Sequence, residues 1–121
     1  MGHPAHHHKI NYIEFSTTSV PQTKAFYSKV FGWEFQDWGE EYVSFSSKSG
    51  GIDGGFRTGP TPEKSGESAP LIVLYSSDLK ATEAAIVAAG GSIVVPTFEF
   101  PGGRRFHFSD GAGNLLAVWS E

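Results

Sequence analysis

The sequence contains no cysteine. Disulfides, thiolate metal ligands and a cysteine nucleophile are therefore excluded, and the composition fits the cytoplasm, which is the expected location. No apolar run approaches the ~20 residues that a membrane-spanning helix requires. Nor does the N-terminal stretch carry the apolar segment of a secretory signal. No membrane partner is expected. Basic residues are few, nine Lys and Arg against thirteen Asp and Glu, for a formal net charge of −4. They are scattered and form no stripe, so no nucleic-acid partner is expected either. There is no Gly-x-Ser-x-Gly elbow. Gly50–Gly55 is rich in glycine, but its flank does not read as a helix, so it does not make a phosphate cradle.

What is present is a globular composition. The 121 residues suffice for one domain with a proper core and are too few for two independent ones. Aromatic residues make up 14%, with ten Phe and three Trp, and the 15 Gly imply many tight turns in a β-rich fold. Four of the five His lie in Met1–His8. Clustered imidazoles can bind Zn or Ni loosely, but this stretch reads as a disordered His-rich tail, natural or introduced by cloning.

From Lys9 onward the chain alternates between strand and helix signals. Lys9–Ser16 reads as a strand with Ile10, Tyr12 and Glu14 on one face and Ile13 and Phe15 on the other. Ser19 or Thr18 can cap a helix with Pro21 in its first turn, Ala25, Phe26 and Val30 as its apolar stripe, and Gly32 as its stop. Trp33–Trp38, Tyr42–Ser47 and Ile52–Thr58 read as strands, with a turn at Ser49–Gly51. Gly59–Ser68 reads as a linker. The order then repeats. Pro70–Tyr75 is a strand, Asp78 caps a helix stopped by Gly90-Gly91, and Ser92–Val95 is a strand ended by Pro96. Arg104–Ser109 and Leu115–Ser120 are the last two strands, joined by the turn Asp110–Asn114.

The two halves share a register. The helix caps Ser19 and Asp78 are 59 positions apart, and so are the helix stops Gly32 and Gly91. A constant offset across cap and stop signals an internal duplication. The expected architecture is α+β, a single domain over residues 9–121 built from two βαβββ modules. Module one spans 9–59, the linker 60–69 and module two 70–121.

Three segments carry a resemblance to a known family. They are Phe26-Tyr-Ser-Lys-Val-Phe-Gly-Trp33, the helix Leu79–Gly91 ending Ala-Ala-Gly-Gly, and Asp110-Gly-Ala-Gly-Asn114 followed by Leu-Leu-Ala-Val-Trp119. In this order and spacing they resemble the glyoxalase/bleomycin-resistance/dioxygenase (vicinal oxygen chelate) superfamily, in its lactoylglutathione-lyase-related branch. The resemblance implies curled mixed sheets enclosing a cleft, with helices outside and a homodimeric assembly. In metal-dependent members it also implies ligands on the first and last strand of each module, where a metal acts as a Lewis acid.

Those ligand positions fall on Tyr12, Leu71, Ala117 and the Gly54–Gly55 region. Leu and Ala have no donor atom, so no metal and no other cofactor is expected. A metal held by Glu14 and His107 is one open alternative, and a metal-dependent lactoylglutathione lyase or dioxygenase is the function alternative.

Strand alternation then places candidate residues on the cleft side. Glu14 and His107 are the candidate catalytic acid–base pair. Tyr12, Arg57, Tyr75, Arg105 and Trp119 are the candidate substrate-binding residues, with Arg57 or Arg105 able to hold a carboxylate. The same residues can equally serve packing, an internal ion pair or a dimer contact. The expected function is small-molecule binding in a metal-free cleft, with or without acid–base chemistry. Drug or metabolite sequestration of the bleomycin-resistance kind is the alternative.

Overall fold

In the computed structural model, which describes residues 7–59 and 70–121, the helix signals act as read. Ser19 accepts a hydrogen bond from the Gln22 N–H and starts α1 (Val20–Phe31). Gly32 ends it at φ 72°, where its own N–H returns to the carbonyls of Ser28 and Tyr27. Only glycine adopts that left-handed cap without steric cost. Asp78 caps α3 (Leu79–Ala88) through the Ala81 N–H. A further short helix, α2 (Ser47–Gly50), replaces the turn expected at Ser49–Gly51, because Ser46 caps it and Gly51 closes it in the left-handed region.

Eight strands complete the described residues. Module one holds β1 (Tyr12–Thr17), β2 (Gln36–Asp37), β3 (Tyr42–Phe45) and β4 (Asp53–Thr58), in the sheet order β1-β4-β3-β2. Module two holds β5 (Val73–Tyr75), β6 (Ser92–Phe100), β7 (Gly103–Ser109) and β8 (Leu115–Ser120), in the order β5-β8-β7-β6. The first and last strands of each module pair in parallel and the others antiparallel. The two sheets remain separate and neither closes into a barrel. The expected α+β fold of two βαβββ modules is therefore present. Residues 1–6 of the His-rich tail and the linker 60–69 lie outside the described residues. His7 and His8 are exposed, with stacked rings.

The duplication reaches the side chains. Thr17 and Thr23 hydroxyls meet at 2.6 Å in module one, and Ser76 and Thr82, each 59 positions later, meet at 2.7 Å in module two. Each pair ties the end of a first strand to the second turn of the helix that follows.

Three expectations need correction. Pro96 does not end β6, which continues to Phe100. The strand is at the edge of its sheet, where proline costs no ladder hydrogen bond, and the pairing with β7 shifts register between Val95 and Phe98. The strand expected at Trp33–Trp38 shrinks to Gln36–Asp37, since Trp33 and Phe35 turn into the core. Ala25 is exposed, whereas Phe26 and Val30 pack inward as expected, and the stripe of α1 extends to Val20, Thr23 and Tyr27.

One core serves both modules. Phe56 of β4, Phe106 and Phe108 of β7, and Tyr27 of α1 are fully buried. Burying each such ring is worth roughly 1.5–3 kcal/mol. Phe26 and Phe31 of α1 lie 6.2 and 6.1 Å from Phe108, so the first helix packs on the second module's sheet. The joint is also polar. Asp110 is buried and accepts from the N–H groups of Ala112 and Asn114, from Asn114 Nδ2 and from the Tyr27 hydroxyl. Asn114 Nδ2 also donates to the Ser16 carbonyl, and the Thr18 N–H to the Ala112 carbonyl. The Asp110–Asn114 turn thus clamps β1 and α1 of the other module.

Candidate functional site

Strand alternation sets what faces away from this core. On β1, Ile13 and Phe15 pack inward, leaving Tyr12 and Glu14 on the open face. Parallel pairing puts Gly55 beside Glu14 and Asp53 beside Tyr12. On β8, Leu116 and Val118 join the core, leaving Ala117 and Trp119 on the other face, beside His107 and Arg105 of β7. All seven candidate residues are on the open faces, but the structure gathers them into two groups, one on each sheet.

The first group is polar. Arg57 Nε lies 3.0 Å from Glu14 Oε2 in a half-exposed ion pair. The Tyr42 hydroxyl donates to Glu14 Oε1 at 3.3 Å and is in turn hydrogen-bonded to the Tyr12 hydroxyl. Burial first, then the Tyr12 hydrogen bond and the Glu14 charge, hold the Tyr42 phenol above the ordinary tyrosine range. Tyr42 is a member that sequence reading missed. It reaches Glu14 because Gly55 has no side chain. A Cβ there would fall 2.6 Å from the Tyr42 ring and 2.7 Å from the Val43 carbonyl oxygen. Beside this group, Tyr12, Phe35, Ser44 and Asp53 line an open groove of about 410 Å³.

The second group is aromatic and cationic. Two cross-strand rows form it: Val73, Ala117, His107 and Val95, then Tyr75, Trp119, Arg105 and Phe98. Tyr75 and Trp119 meet edge to face at 5.2 Å. The Arg105 guanidinium lies over the rings of Phe98 and Phe100, 5.4 and 5.6 Å from their centres. The His107 ring is 5.9 Å from that of Phe98. Burial, and secondarily the Arg105 charge, push the His107 imidazole below its usual range, favouring the neutral form. The Tyr75 hydroxyl donates to Glu121, which raises the phenol and lowers the carboxyl. Phe98 and Phe100 were missed because the strand starting at Ser92 was expected to end at Pro96. The alternation Phe-Glu-Phe at 98–100 was the available signal.

Glu14 and His107 stand on different sheets, each on the side away from the shared core. Among the described residues no hydrogen bond, ion pair or ring contact joins the two groups. The faces stay open: Tyr12, Val73, Tyr75 and Phe98 are 45, 40, 52 and 36% exposed.

Three positions that the resemblance assigns to metal ligands, Tyr12, Gly55 and Ala117, lie on these faces. Gly55 is the glycine that looks outward, whereas a Cβ on Gly54 would run into Ile13 and Phe45. Gly55 and Ala117 supply no donor atom, and Leu71 precedes β5. Among the described residues no three of His, Asp and Glu come together in a group that could hold a metal ion. No described helix is long and apolar enough to cross a membrane.

Known proteins resemble most of this chain. In sequence it is 26% identical over 117 residues to CFP32 of Mycobacterium tuberculosis, a protein named provisionally as a glyoxylase, covering 90% of this chain. The chain spans 44% of the length of that relative, and the same holds for its Mycobacterium bovis counterpart. A glyoxalase-related enzyme from Fulvimarina pelagi superposes with a TM-score of 0.76 at 16% identity, covering 94% of this chain and 88% of that one. The fosfomycin resistance protein FosX from Listeria monocytogenes gives 0.76 at 17%, covering 93 and 92%. At these identities the superpositions show a shared fold. Residues 9–118 match the family model of the Glyoxalase/Bleomycin resistance protein/Dioxygenase superfamily. The chain belongs to that superfamily.

Proposed function

We propose that this chain binds a small molecule on the open faces of its two sheets without a metal ion, and that Glu14 and His107 supply acid–base groups there. The observation that carries the reading is the exchange at the register positions of the two last strands. Gly55 and Ala117 occupy places where metal-dependent relatives are expected to hold ligands, while the polar groups next to them are Glu14 and His107. A second copy of the chain is the cover for the two open faces. It sets the sheet-one face of one copy against the sheet-two face of the other and so brings Glu14 and His107 to one cleft. The exposed apolar side chains on both faces support this assembly.

Thermal melting in the presence of small-molecule libraries tests the reading, because a ligand that binds only the native state raises its stability by mass action. Glu14→Gln and His107→Ala should each abolish turnover of any substrate the protein converts. Retained turnover in both would refute the acid–base assignment. One equivalent of metal retained by protein lacking residues 1–8 would refute the metal-free assignment. Sequestration without catalysis has one observation in its favour: Arg57 and Tyr42 already engage both oxygens of Glu14. Melting shifts with no turnover would select that reading.

A further inference from the structure

The sheet-two face carries two polar atoms that its own side chains leave without a partner. Arg105 Nε and His107 Nε2 are both shielded from solvent, and neither meets a hydrogen-bond partner among the described residues. A guanidinium can only donate, so its buried N–H calls for an acceptor. Among the described residues, four acids have other partners or other positions. Glu14 is paired with Arg57 on the other sheet, and the Glu121 side chain accepts from Tyr75. Asp110 is buried against Tyr27 on the core side. Glu99 stands opposite Arg104, one residue out of phase with the Phe98–Arg105 pair and hence on the opposite face. Arg105 forms no salt bridge among the described residues, whereas Arg57 does.

The surroundings of Arg105 are apolar and flat. Phe98 and Phe100 lie under its guanidinium, and the Trp119 ring is 6.4 Å from that of Phe100. Rings on which the cation stacks hold the guanidinium plane in place and keep water from it, which strengthens a bond to an anion. His107, two residues along the same strand and on the same face, adds a second polar atom beside it.

We infer that the ligand of this face is an aromatic acid, its carboxylate held by Arg105 and His107 and its ring laid against Phe98, Phe100 and Trp119. The inference rests on the reading of the open faces as binding surfaces and narrows it to a ligand class. It also separates the two arginines that sequence reading left as equals. Arg57 is neutralised by Glu14, and Arg105 is the anion receptor.

Calorimetric titration of the full chain with 2-naphthoate and with the neutral isostere 2-naphthamide tests it. The acid should bind about tenfold or more tightly than the amide, the value of one charge-assisted contact. Arg105→Gln should erase that preference, and Arg104→Gln, on the opposite face, should keep it. Thermal melts establish that each variant is folded, and Arg105→Lys, which retains charge without the planar fork, should keep part of the preference. Equal affinity of wild type for both probes, or a preference that survives Arg105→Gln, overturns the anion receptor while leaving the face a binding surface. Failure of both probes to bind overturns the ligand class. The broader binding reading stands or falls separately, on the melting screen.

Discussion

Replacing Tyr27 by Phe removes one hydroxyl from the joint between the modules and leaves the ring in place. That ring is wholly buried, stacked near Trp33 and Phe56, and its hydroxyl donates to Asp110 Oδ2 at 3.1 Å. A hydrogen bond to a carboxylate in such a setting is worth about 2 kcal/mol. For a domain of this size that lowers Tm by roughly 6–10 °C. Urea and thermal unfolding followed by circular dichroism at pH 7 measure it. The alkaline limb supplies a second, independent signature. Burial, together with the charge of Asp110 and the hydrogen bond to it, raises the Tyr27 phenol well above its ordinary 10.0. Above that pH the unfolded chain loses the proton and the folded one keeps it, so native Tyr27 contributes stability that is complete below pH 10 and is lost as pH rises. The slope is about 1.4 kcal/mol per pH unit for one proton. The stability gap between wild type and Tyr27→Phe should therefore narrow above pH 10, since only wild type carries this liability. A Tm within about 2 °C of wild type at pH 7, with parallel pH curves, would refute the account of the joint.

Gly55→Ala should cost about 1–3 kcal/mol, because its Cβ meets the Val43 carbonyl as well as the Tyr42 ring, and a backbone oxygen cannot swing aside. An unchanged urea midpoint would show that the strand relaxes freely. Glu14→Gln should be nearly silent in stability, within about 1 kcal/mol, since the pair with Arg57 is half-exposed and screened. A larger loss in chemical denaturation would mean that the Tyr12–Tyr42–Glu14–Arg57 group is structural. Arg105→Gln should raise the His107 pKa part of the way back toward 6.5, by removing the smaller of its two causes and leaving burial. Imidazole resonances followed by NMR against pH read this directly, and an unmoved midpoint would place the Arg105 charge elsewhere.

Much of the fold was legible because its signals are local. Ser19, Gly32 and Asp78 act on backbone groups within five residues of themselves, so their chemistry holds whatever packs nearby. The 59-residue offset between them carried the module repeat, and the hydroxyl pairs Thr17–Thr23 and Ser76–Thr82 keep the same offset. Alternation correctly sent Glu14, Arg105, His107 and Trp119 to the open faces, because strand period is a covalent property of the extended chain. The errors fall where a neighbour decides. Pro96 ends a central strand but not an edge one, and edge position is a property of the sheet. Burial of Tyr27 depends on Asp110, 83 positions away, which accepts from its hydroxyl.

The sequence by itself determined the two βαβββ modules, the family resemblance they carry, and the lack of donor side chains at Ala117 and across Gly54–Gly55. All of these follow from residue identity and from backbone chemistry close along the chain. Tertiary structure alone decided which candidates work together. It divided seven residues between two sheets, tied Glu14 to Arg57 and Tyr42, and left Arg105 over two phenyl rings with no ion-pair partner among the described residues. Partnership between side chains depends on strand order and on what each sheet packs against, and neither is encoded in any one segment of the chain.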